Sequence, residues 1–378
     1  MRHVVLAPDS YKGTLSSRQI CRIMAEAVRR HFPACRVEAI PAADGGEGSV
    51  DCLLEARGGI RREVRVRGPF GEEMTAAYGL LADGKTAIVE TASCAGLPLA
   101  EGRRDPRITT TYGVGQLLLD AAEQGCRTIL LGLGGSCTND AGAGAAAAAG
   151  VRFYDRQGRA FIPTGGTLAD VARIDASGLD PRLRGVEIRG LCDIDNPLHG
   201  ETGAALVFAP QKGADPAAVR LLDEGLAHIG RLMERDLGCP AASLPGGGAA
   251  GGFGAGLAAF LGGRLCRGIE TVLDTVRFDE RTAGADLVFT GEGRLDRQSL
   301  SGKVISGVAD RAAALGVPVI AVVGGYDPPL EDIHARGVAA VFSINRLPEE
   351  LSASRTHSGE NLSLTMDNIL RLLKLRQG

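Results

Sequence analysis

One glycine-rich segment places four hydrogen-bonding side chains within five positions: Ser136, Thr138, Asn139 and Asp140. A strand-like run, residues 128–131, leads into it, and an alanine-rich stretch follows. Because glycine permits a tight turn into a helix, backbone N–H groups and these side chains could together receive an anion. The alternative is an ordinary strand-to-helix turn with capping residues, although four such groups exceed what one cap requires.

A second polar loop carries Asp9, Ser10 and Lys12 directly after the apolar run 3–7. Charged and hydroxyl groups between a strand and a helix are typical of ligand-binding loops in open α/β sheets. The alternative for Lys12 is a solvated surface lysine. A third loop, with Glu292, follows the strand-like run 286–290 in the same way.

Two pairs of acids are candidates for metal binding or proton transfer. Asp44 and Glu47 flank a Gly-Gly turn, where they would suit Mg²⁺ or a helix N-terminus that favours negative charge. Asp193 and Asp195 would point the same way in an extended segment, either as a base and a metal ligand or as one surface edge. The Asn196-Pro turn after them indicates a formed loop.

Several functions are disfavoured by composition. A net charge of −3 and the absence of Trp give no footprint for nucleic acid. The nine cysteines are scattered without a C-x-x-C pair, which predicts reduced thiols in a cytoplasmic protein, with Cys137 as a packing residue. No apolar run is long enough to span a membrane, and no signal peptide precedes the first strand.

Common nucleotide motifs are also missing. The P-loop pattern fails because Val304 follows Gly302-Lys303, and there is no protein-kinase H-R-D or D-F-G set. The residues 142–147 formally fit a dinucleotide fingerprint, but they fall inside the predicted helix. The remaining inventory of acids, lysines, hydroxyls and glycine backbones suits phosphoryl transfer, which depends on positioning and charge neutralisation.

The predicted elements divide the chain into two α/β domains. Alternating strands and helices, with glycine-bearing loops at the carboxyl ends of the strands, indicate a doubly wound parallel sheet. We expect its domain to be discontinuous and the other to be inserted; the first comprises 1–60, 108–150 and 280–378, and the second 61–107 and 151–279.

Within the inserted domain, the alternation over 61–92 predicts an antiparallel meander. Strands are expected at 151–155, 187–192 and 204–208. The glycine-rich stretch 246–256 is expected to be a packed or ligand-facing loop, with a flexible linker as the alternative. We expect the polar loops to gather at one edge of the parallel sheet, and the inserted domain to bring its acids and glycines to the same cleft.

Five motifs together resemble the bacterial glycerate kinases, specifically the class found in glyoxylate and sugar-acid catabolism. They occur in family order from residue 7 to about residue 303. The motifs are APDSYKG at 7–13, ADGGEG at 43–48, GLGGSCTNDAGAG at 132–144, CDIDNPL at 192–198 and FTGEGRLD at 289–296.

This resemblance implies ATP-dependent phosphorylation of (R)-glycerate with Mg²⁺, that is, a phosphotransferase with an alcohol group as acceptor. It also implies a flavodoxin-like domain interrupted by a domain loosely like restriction endonucleases. The expected product is 2-phosphoglycerate, with 3-phosphoglycerate as the alternative, because the sequence does not itself indicate which hydroxyl reacts. Glycerate and ATP are the expected partners, and no oligomeric state is predicted.

Under this hypothesis Asp193 orients or deprotonates the glycerate hydroxyl, while Lys12 and Arg294 neutralise the glycerate carboxylate and the transferring phosphoryl group. The candidate metal ligands are Asp44, Glu47 and Asp195. The residues expected to bind substrate or phosphate are Asp9, Ser10, Gly134, Gly135, Ser136, Thr138, Asn139, Asp140, Asn196, Gly291, Glu292, Arg294 and Lys303.

Two other functions compete with this one. A nucleotide-dependent oxidoreductase would use the glycines of 142–147 and bind NADH rather than ATP. A non-catalytic sugar-acid sensor would bind glycerate without turning over ATP, but it leaves the acid-rich loops unexplained.

Overall fold

The structure is a computed structural model, which describes residues 1–43, 45–46, 48–296, 303–327, 329–346 and 355–375. In chain order its strands are β1 (His3–Pro8), β2 (Arg36–Ala39), β3 (Gly59–Arg67), β4 (Glu73–Leu81), β5 (Thr86–Glu90), β6 (Thr128–Gly132), β7 (Arg152–Tyr154), β8 (Ala160–Phe161), β9 (Arg173–Asp175), β10 (Glu187–Leu191), β11 (Arg264–Cys266), β12 (Leu287–Gly291), β13 (Arg294–Leu295), β14 (Val319–Val323), β15 (Gly325–Tyr326) and β16 (Val338–Ser343).

The α-helices are α1 (Ser17–His31), α2 (Ser49–Arg57), α3 (Ala92–Ala95), α4 (Tyr112–Glu123), α5 (Ala143–Ala148), α6 (Ala204–Phe208), α7 (Pro216–Leu237), α8 (Ala249–Leu261), α9 (Gly268–Thr275), α10 (Phe278–Thr282), α11 (Val304–Ala314), α12 (Glu331–Ala335) and α13 (Ser358–Lys374). Short 3₁₀ helices span Leu97–Ala100, Gly165–Asp170, Pro181–Leu183, Pro210–Lys212 and Ala241–Ser243. Among the helices described, none is both long and apolar enough to cross a bilayer.

The chain forms two compact units. The first unit comprises Met1–Asp44, Glu55–Arg57 and Gly268–Gly378, and the second unit comprises Gly45–Leu54 and Gly58–Arg267. Both contain parallel strands with packed helices, so the fold belongs to the α/β class.

The first unit is built on a five-stranded parallel sheet in the order β16-β14-β12-β1-β2. Numbered along this unit alone, the order is 2-1-3-4-5. Val4, Val5 and Leu6 of β1 are fully buried, as expected for a strand covered on both faces. In such a sheet the connections change direction between β1 and β12, and ligands bind outside the carboxyl ends of the strands at that point.

The second unit is built on a six-stranded mixed sheet in the order β11-β10-β6-β5-β4-β3. The pairs β3/β4 and β4/β5 are antiparallel, which confirms the predicted meander, whereas β5, β6, β10 and β11 are parallel. The second unit also contains a separate, small antiparallel sheet with the strand order β8-β7-β9.

Two expectations about this region are wrong. The segment 108–150 was expected in the first domain, but its strand β6 pairs with β5 and β10 in the second unit. The chain order β5, α4, β6 explains this placement, because a helical crossover joins neighbouring parallel strands. Residues 204–208 form helix α6 rather than a strand; a five-residue apolar run has no periodicity that distinguishes the two.

Candidate active site

The predicted site residues fall into two groups, one on each unit. The first unit holds Asp9, Ser10, Lys12, Gly291, Glu292, Arg294 and Lys303, and the second unit holds Gly134, Gly135, Ser136, Thr138, Asn139, Asp140, Asp193, Asp195 and Asn196. The expectation that all the loops end strands of one sheet is therefore wrong, because β6 and β10 belong to the second sheet. Asp44 and Glu47 lie outside the described residues.

In the first unit the loops after β1 and β12 meet at the carboxyl edge of the sheet. The Asp9 N–H donates to the Gly291 carbonyl at 2.7 Å, and the Asp9 carboxylate accepts the Ser10 N–H at 2.6 Å. Asp9 and Glu292 are buried, whereas Lys12 is exposed. A Cβ at Gly293 would lie 3.4 Å from the backbone nitrogen of Lys12, so the backbones of the two loops are adjacent.

The strand β14 fixes the spacing of this edge. The Tyr11 hydroxyl donates to the Val322 carbonyl at 2.7 Å, and burial raises the Tyr11 pKa far above its ordinary value. At Gly291, a Cβ would stand only 1.9 Å from the same carbonyl oxygen. The loop that carries Glu292 can therefore follow this path only with glycine at 291.

We expect Gly291→Ala to destabilise the protein by about 2 kcal/mol or more, because the new methyl group has to displace a strand backbone. The measurement is the midpoint of chemical denaturation. Gly325→Ala is the matched control, since the nearest atom to a Cβ there is 4.0 Å away in the same unit. Equal midpoints for the two variants would contradict the packing argument.

Arg294 and Lys303, the two predicted cations that follow β12, differ in their surroundings. Arg294 is exposed and forms an ion pair with Asp327, at 2.9 and 3.1 Å from the two carboxylate oxygens. This carboxylate raises the Arg294 pKa. Lys303 precedes α11, and its carbonyl accepts the Ser306 hydroxyl at 2.9 Å. An anion at Arg294 would have to share the guanidinium with Asp327.

In the second unit, Asp140 holds the segment after β6 together. Its carboxylate accepts hydrogen bonds from the N–H and hydroxyl of Thr111, both at 2.8 Å, and from the N–H groups of Gly142 at 3.1 Å and Gly144 at 3.2 Å. The side chain is fully buried. Burial raises its pKa, and these donors act against the increase. Asp140 is thus engaged with its own chain at the start of α5.

The rest of this loop has an exposed part and a buried part. Gly134 and Gly135 are exposed, whereas Ser136, Thr138 and Asn139 are buried. Among the described residues, the Thr138 hydroxyl and both polar atoms of the Asn139 amide have no hydrogen-bond partner. Buried polar groups nearly always form a hydrogen bond, so these unpaired atoms indicate that a water or a ligand binds near this loop.

The glycine-rich stretch 246–256 packs against the loop after β6, as predicted, but from residue 249 onwards it belongs to helix α8 and is not a loop. A Cβ at Gly251 would lie 2.0 Å from the Thr138 carbonyl oxygen, and one at Gly256 would lie 1.9 Å from that of Ala141. The Ala141 N–H also donates to the Gly251 carbonyl at 3.1 Å. Gly251 has a positive φ of 67°, so α8 is interrupted where it meets the loop.

One charged residue beside the loop was missed in the sequence analysis. Lys212 is buried, and its Nζ donates to the Ser136 hydroxyl at 3.0 Å and to the Thr138 carbonyl at 2.7 Å. Burial lowers its pKa from 10.5 to about 8. The sequence signal for its burial is the apolar run of helix α6, which lies just before it.

Asp193, Asp195 and Asn196 follow β10. Asp193 is half-buried, whereas Asp195 is exposed and lies 3.4 Å from the Arg267 guanidinium. The Asn196 side-chain amide donates to the Thr202 carbonyl at 2.7 Å, and the backbone carbonyl of Asn196 accepts the Gly248 N–H at 2.9 Å. These bonds confirm the formed loop that the Asn-Pro turn indicated.

The predicted metal ligands are Asp44, Glu47 and Asp195, of which the structure describes Asp195. No group of three His, Cys, Asp or Glu side chains among the described residues is placed to hold a metal ion. Asp195 is the described member of the three predicted ligands, and its carboxylate is shared with Arg267. Cys137 is buried and burial raises its pKa to about 11, which agrees with a packing residue.

Comparison with known proteins identifies the class. The model of the glycerate kinase family matches residues 4–374. A glycerate kinase of Halalkalibacterium halodurans is 47% identical over 91% of each chain, and a glycerate 2-kinase of Escherichia coli K12 is 43% identical over 90% of each chain. A crystal structure of a candidate glycerate kinase 2 from Salmonella typhimurium LT2 matches all of this chain and 99% of that one, with 41% identity and a TM-score of 0.89.

These similarities place the chain among the kinases that phosphorylate an alcohol group. It belongs to the glycerate kinase family.

Proposed function

We propose that this chain transfers the γ-phosphoryl group of ATP to the 2-hydroxyl of (R)-glycerate, giving 2-phosphoglycerate and ADP. The observation that carries the proposal is the family match over nearly the whole chain, together with the name of the Escherichia coli relative, a glycerate 2-kinase. Transfer to the 3-hydroxyl is the alternative.

The proposal extends to the two units. The 2-1-3-4-5 order of the first sheet is that of flavodoxin-like domains, which supports a flavodoxin-like first unit. The change from antiparallel to parallel strands in the second sheet supports a second unit loosely like restriction endonucleases.

In the proposed reaction Asp193 accepts the proton of the glycerate hydroxyl as its oxygen attacks the γ-phosphorus. The bond from phosphorus to the bridging oxygen breaks, and ADP leaves with that oxygen. Lys12 and Arg294 neutralise the glycerate carboxylate and the transferring phosphoryl group. The exposed backbone of Gly134 and Gly135 is the part of the second-unit loop that an anion can reach directly.

Mg²⁺ would accompany the nucleotide. Proteins usually hold this ion through one or two carboxylates together with substrate phosphates, so Asp44, Glu47 or Asp195 would complete rather than form its coordination. Bound there, it would neutralise charge on the phosphates.

Phosphorus NMR of the product formed from ATP, Mg²⁺ and (R)-glycerate tests the proposal. The expected product is 2-phosphoglycerate, and a 3-phosphoglycerate signal would overturn the assignment of the hydroxyl. Binding of glycerate without ATP turnover would instead support a sensor. Binding of NADH but not ATP would support an oxidoreductase.

A further inference from the structure

Lys212 is a buried cation that no proposed step of the reaction uses. It ends the 3₁₀ helix Pro210–Lys212 in the second unit, and only 3% of its surface is exposed. Among the described residues, no carboxylate lies within ion-pair distance of its Nζ. Most lysines stay at the surface, so its position needs an explanation.

Its two hydrogen bonds reach both sides of Cys137. The Nζ donates to the Ser136 hydroxyl and to the Thr138 carbonyl. From other directions, the Cys137 N–H donates to the Ala95 carbonyl at 2.9 Å, and the Thr109 hydroxyl donates to the Cys137 carbonyl at 3.0 Å. The three loop residues are thus fixed by an ammonium group, a backbone carbonyl and a hydroxyl.

This arrangement is costly for the fold. Burial disfavours the charged ammonium, and the Asp140 carboxylate favours the charge electrostatically, whereas the Cys137 thiol, with its pKa of about 11, is neutral where Lys212 titrates. A folded-state pKa near 8, below the unfolded value near 10.5, means that the unfolded chain holds the proton more strongly. Stability therefore rises as pH increases from about 8 to about 10.5, and the charged form at neutral pH is the less stable one. A buried lysine with a lowered pKa, next to polar atoms that lack a hydrogen-bond partner, is a candidate for a functional role.

We propose that Lys212 is a positioning residue of the glycerate kinase reaction, whose charged form holds residues 136–138 in the geometry that receives an anionic group of a substrate. The inference rests on the proposed role of the 134–140 loop in binding an anion. The positive charge in contact with the loop also favours a negative group bound at the loop. Loss of the proton removes both effects.

The first test is the pH profile of the unmodified enzyme and of Lys212→Arg. We expect kcat/KM of the wild type to fall about tenfold per pH unit above pH 8, while the arginine variant keeps its value up to pH 10 because guanidinium stays protonated. Thermal stability of the wild type should rise over the same interval relative to the arginine variant. Parallel profiles for the two proteins would overturn the proposal.

The second test is Lys212→Met, which retains most of the apolar volume and removes the charge. We expect the KM for ATP or for glycerate to rise at least tenfold at pH 7, with a smaller change in kcat. Lys85→Met, an exposed lysine in the same unit, is the matched control and should leave both constants unchanged. An unchanged KM in a folded Lys212→Met protein would refute the proposal.

The two proposals can fail separately. Wild-type turnover with a normal Lys212→Met enzyme would remove the role of Lys212 and leave the kinase assignment intact. If the wild type does not turn over glycerate, calorimetric titration with ATP and with glycerate still tests Lys212. Equal affinities of wild type and Lys212→Met for both compounds would then overturn the inference.

Discussion

Replacing Asp193 by asparagine is expected to lower kcat for glycerate phosphorylation roughly 100- to 10,000-fold, which is the usual contribution of a general base. The amide has the shape of the carboxylate but cannot accept the hydroxyl proton. Asp193 lies just after β10, in a loop that the Asn196 side chain holds in place. The melting temperature of the variant is measured together with kcat, so that a loss of activity through unfolding is recognised.

Two further variants separate the role of Asp193 from a general loss of charge and from a role in metal binding. Asp170→Asn removes an exposed carboxylate from the same unit and should leave kcat unchanged. Asp195→Asn should raise the Mg²⁺ concentration needed for half-maximal activity if Asp195 completes the metal site. Steady-state kinetics over a range of Mg²⁺ concentrations distinguishes the three variants. Near-normal turnover by Asp193→Asn would exclude Asp193 as the base.

Most individual elements could be predicted from the sequence, because their signals are local. In helix α4 the apolar residues Val114, Leu117, Leu118 and Ala121 recur at helical spacing, and all four are buried. The meander over β3, β4 and β5 follows from alternation and turn residues. The stretch 246–256 is predicted to be a packed or ligand-facing loop; it is packed, because Gly251 and Gly256 leave no room for a side chain, but most of it lies in helix α8.

The division of strands between two sheets could not be predicted in the same way. β6 has the apolar character of a parallel strand, and that character fits either sheet equally well. Its partners, β5 and β10, are fixed by tertiary pairing. Assigning β6 to the first sheet also affects the predicted site, because it places the 134–140 loop on the same sheet edge as Asp9 and Gly291.

Burial of polar groups was the second gap in the sequence analysis. The close spacing of Ser136, Thr138, Asn139 and Asp140 suggests that all four bind a ligand, but the Asp140 carboxylate accepts hydrogen bonds from its own loop. Lys212 lies more than seventy residues away from this loop in the chain, and only the tertiary structure brings them together. Spacing along a sequence carries no information about such contacts.

Asp140→Asn is expected to destabilise the protein by at least about 3 kcal/mol, since hydrogen bonds to a charged group contribute about 1.5–3 kcal/mol each and a buried group left unpaired costs a similar amount. One carboxylate oxygen accepts three donors, from Thr111 and Gly144, and the other accepts the Gly142 N–H. An amide can place its oxygen on one side only. Its NH₂ group would then face a buried donor on the other side.

The matched control is Asp215→Asn. Asp215 caps α7 by accepting the Ala218 N–H at 2.7 Å, and asparagine serves as well as aspartate in that position. We therefore expect the denaturation midpoint of Asp215→Asn to equal that of the wild type, and that of Asp140→Asn to fall clearly. Equal midpoints for both variants would mean that the Asp140 network contributes little to stability. A clear fall would identify Asp140 as the residue that holds the loop, which leaves the anion to Gly134, Gly135 and the charge on Lys212.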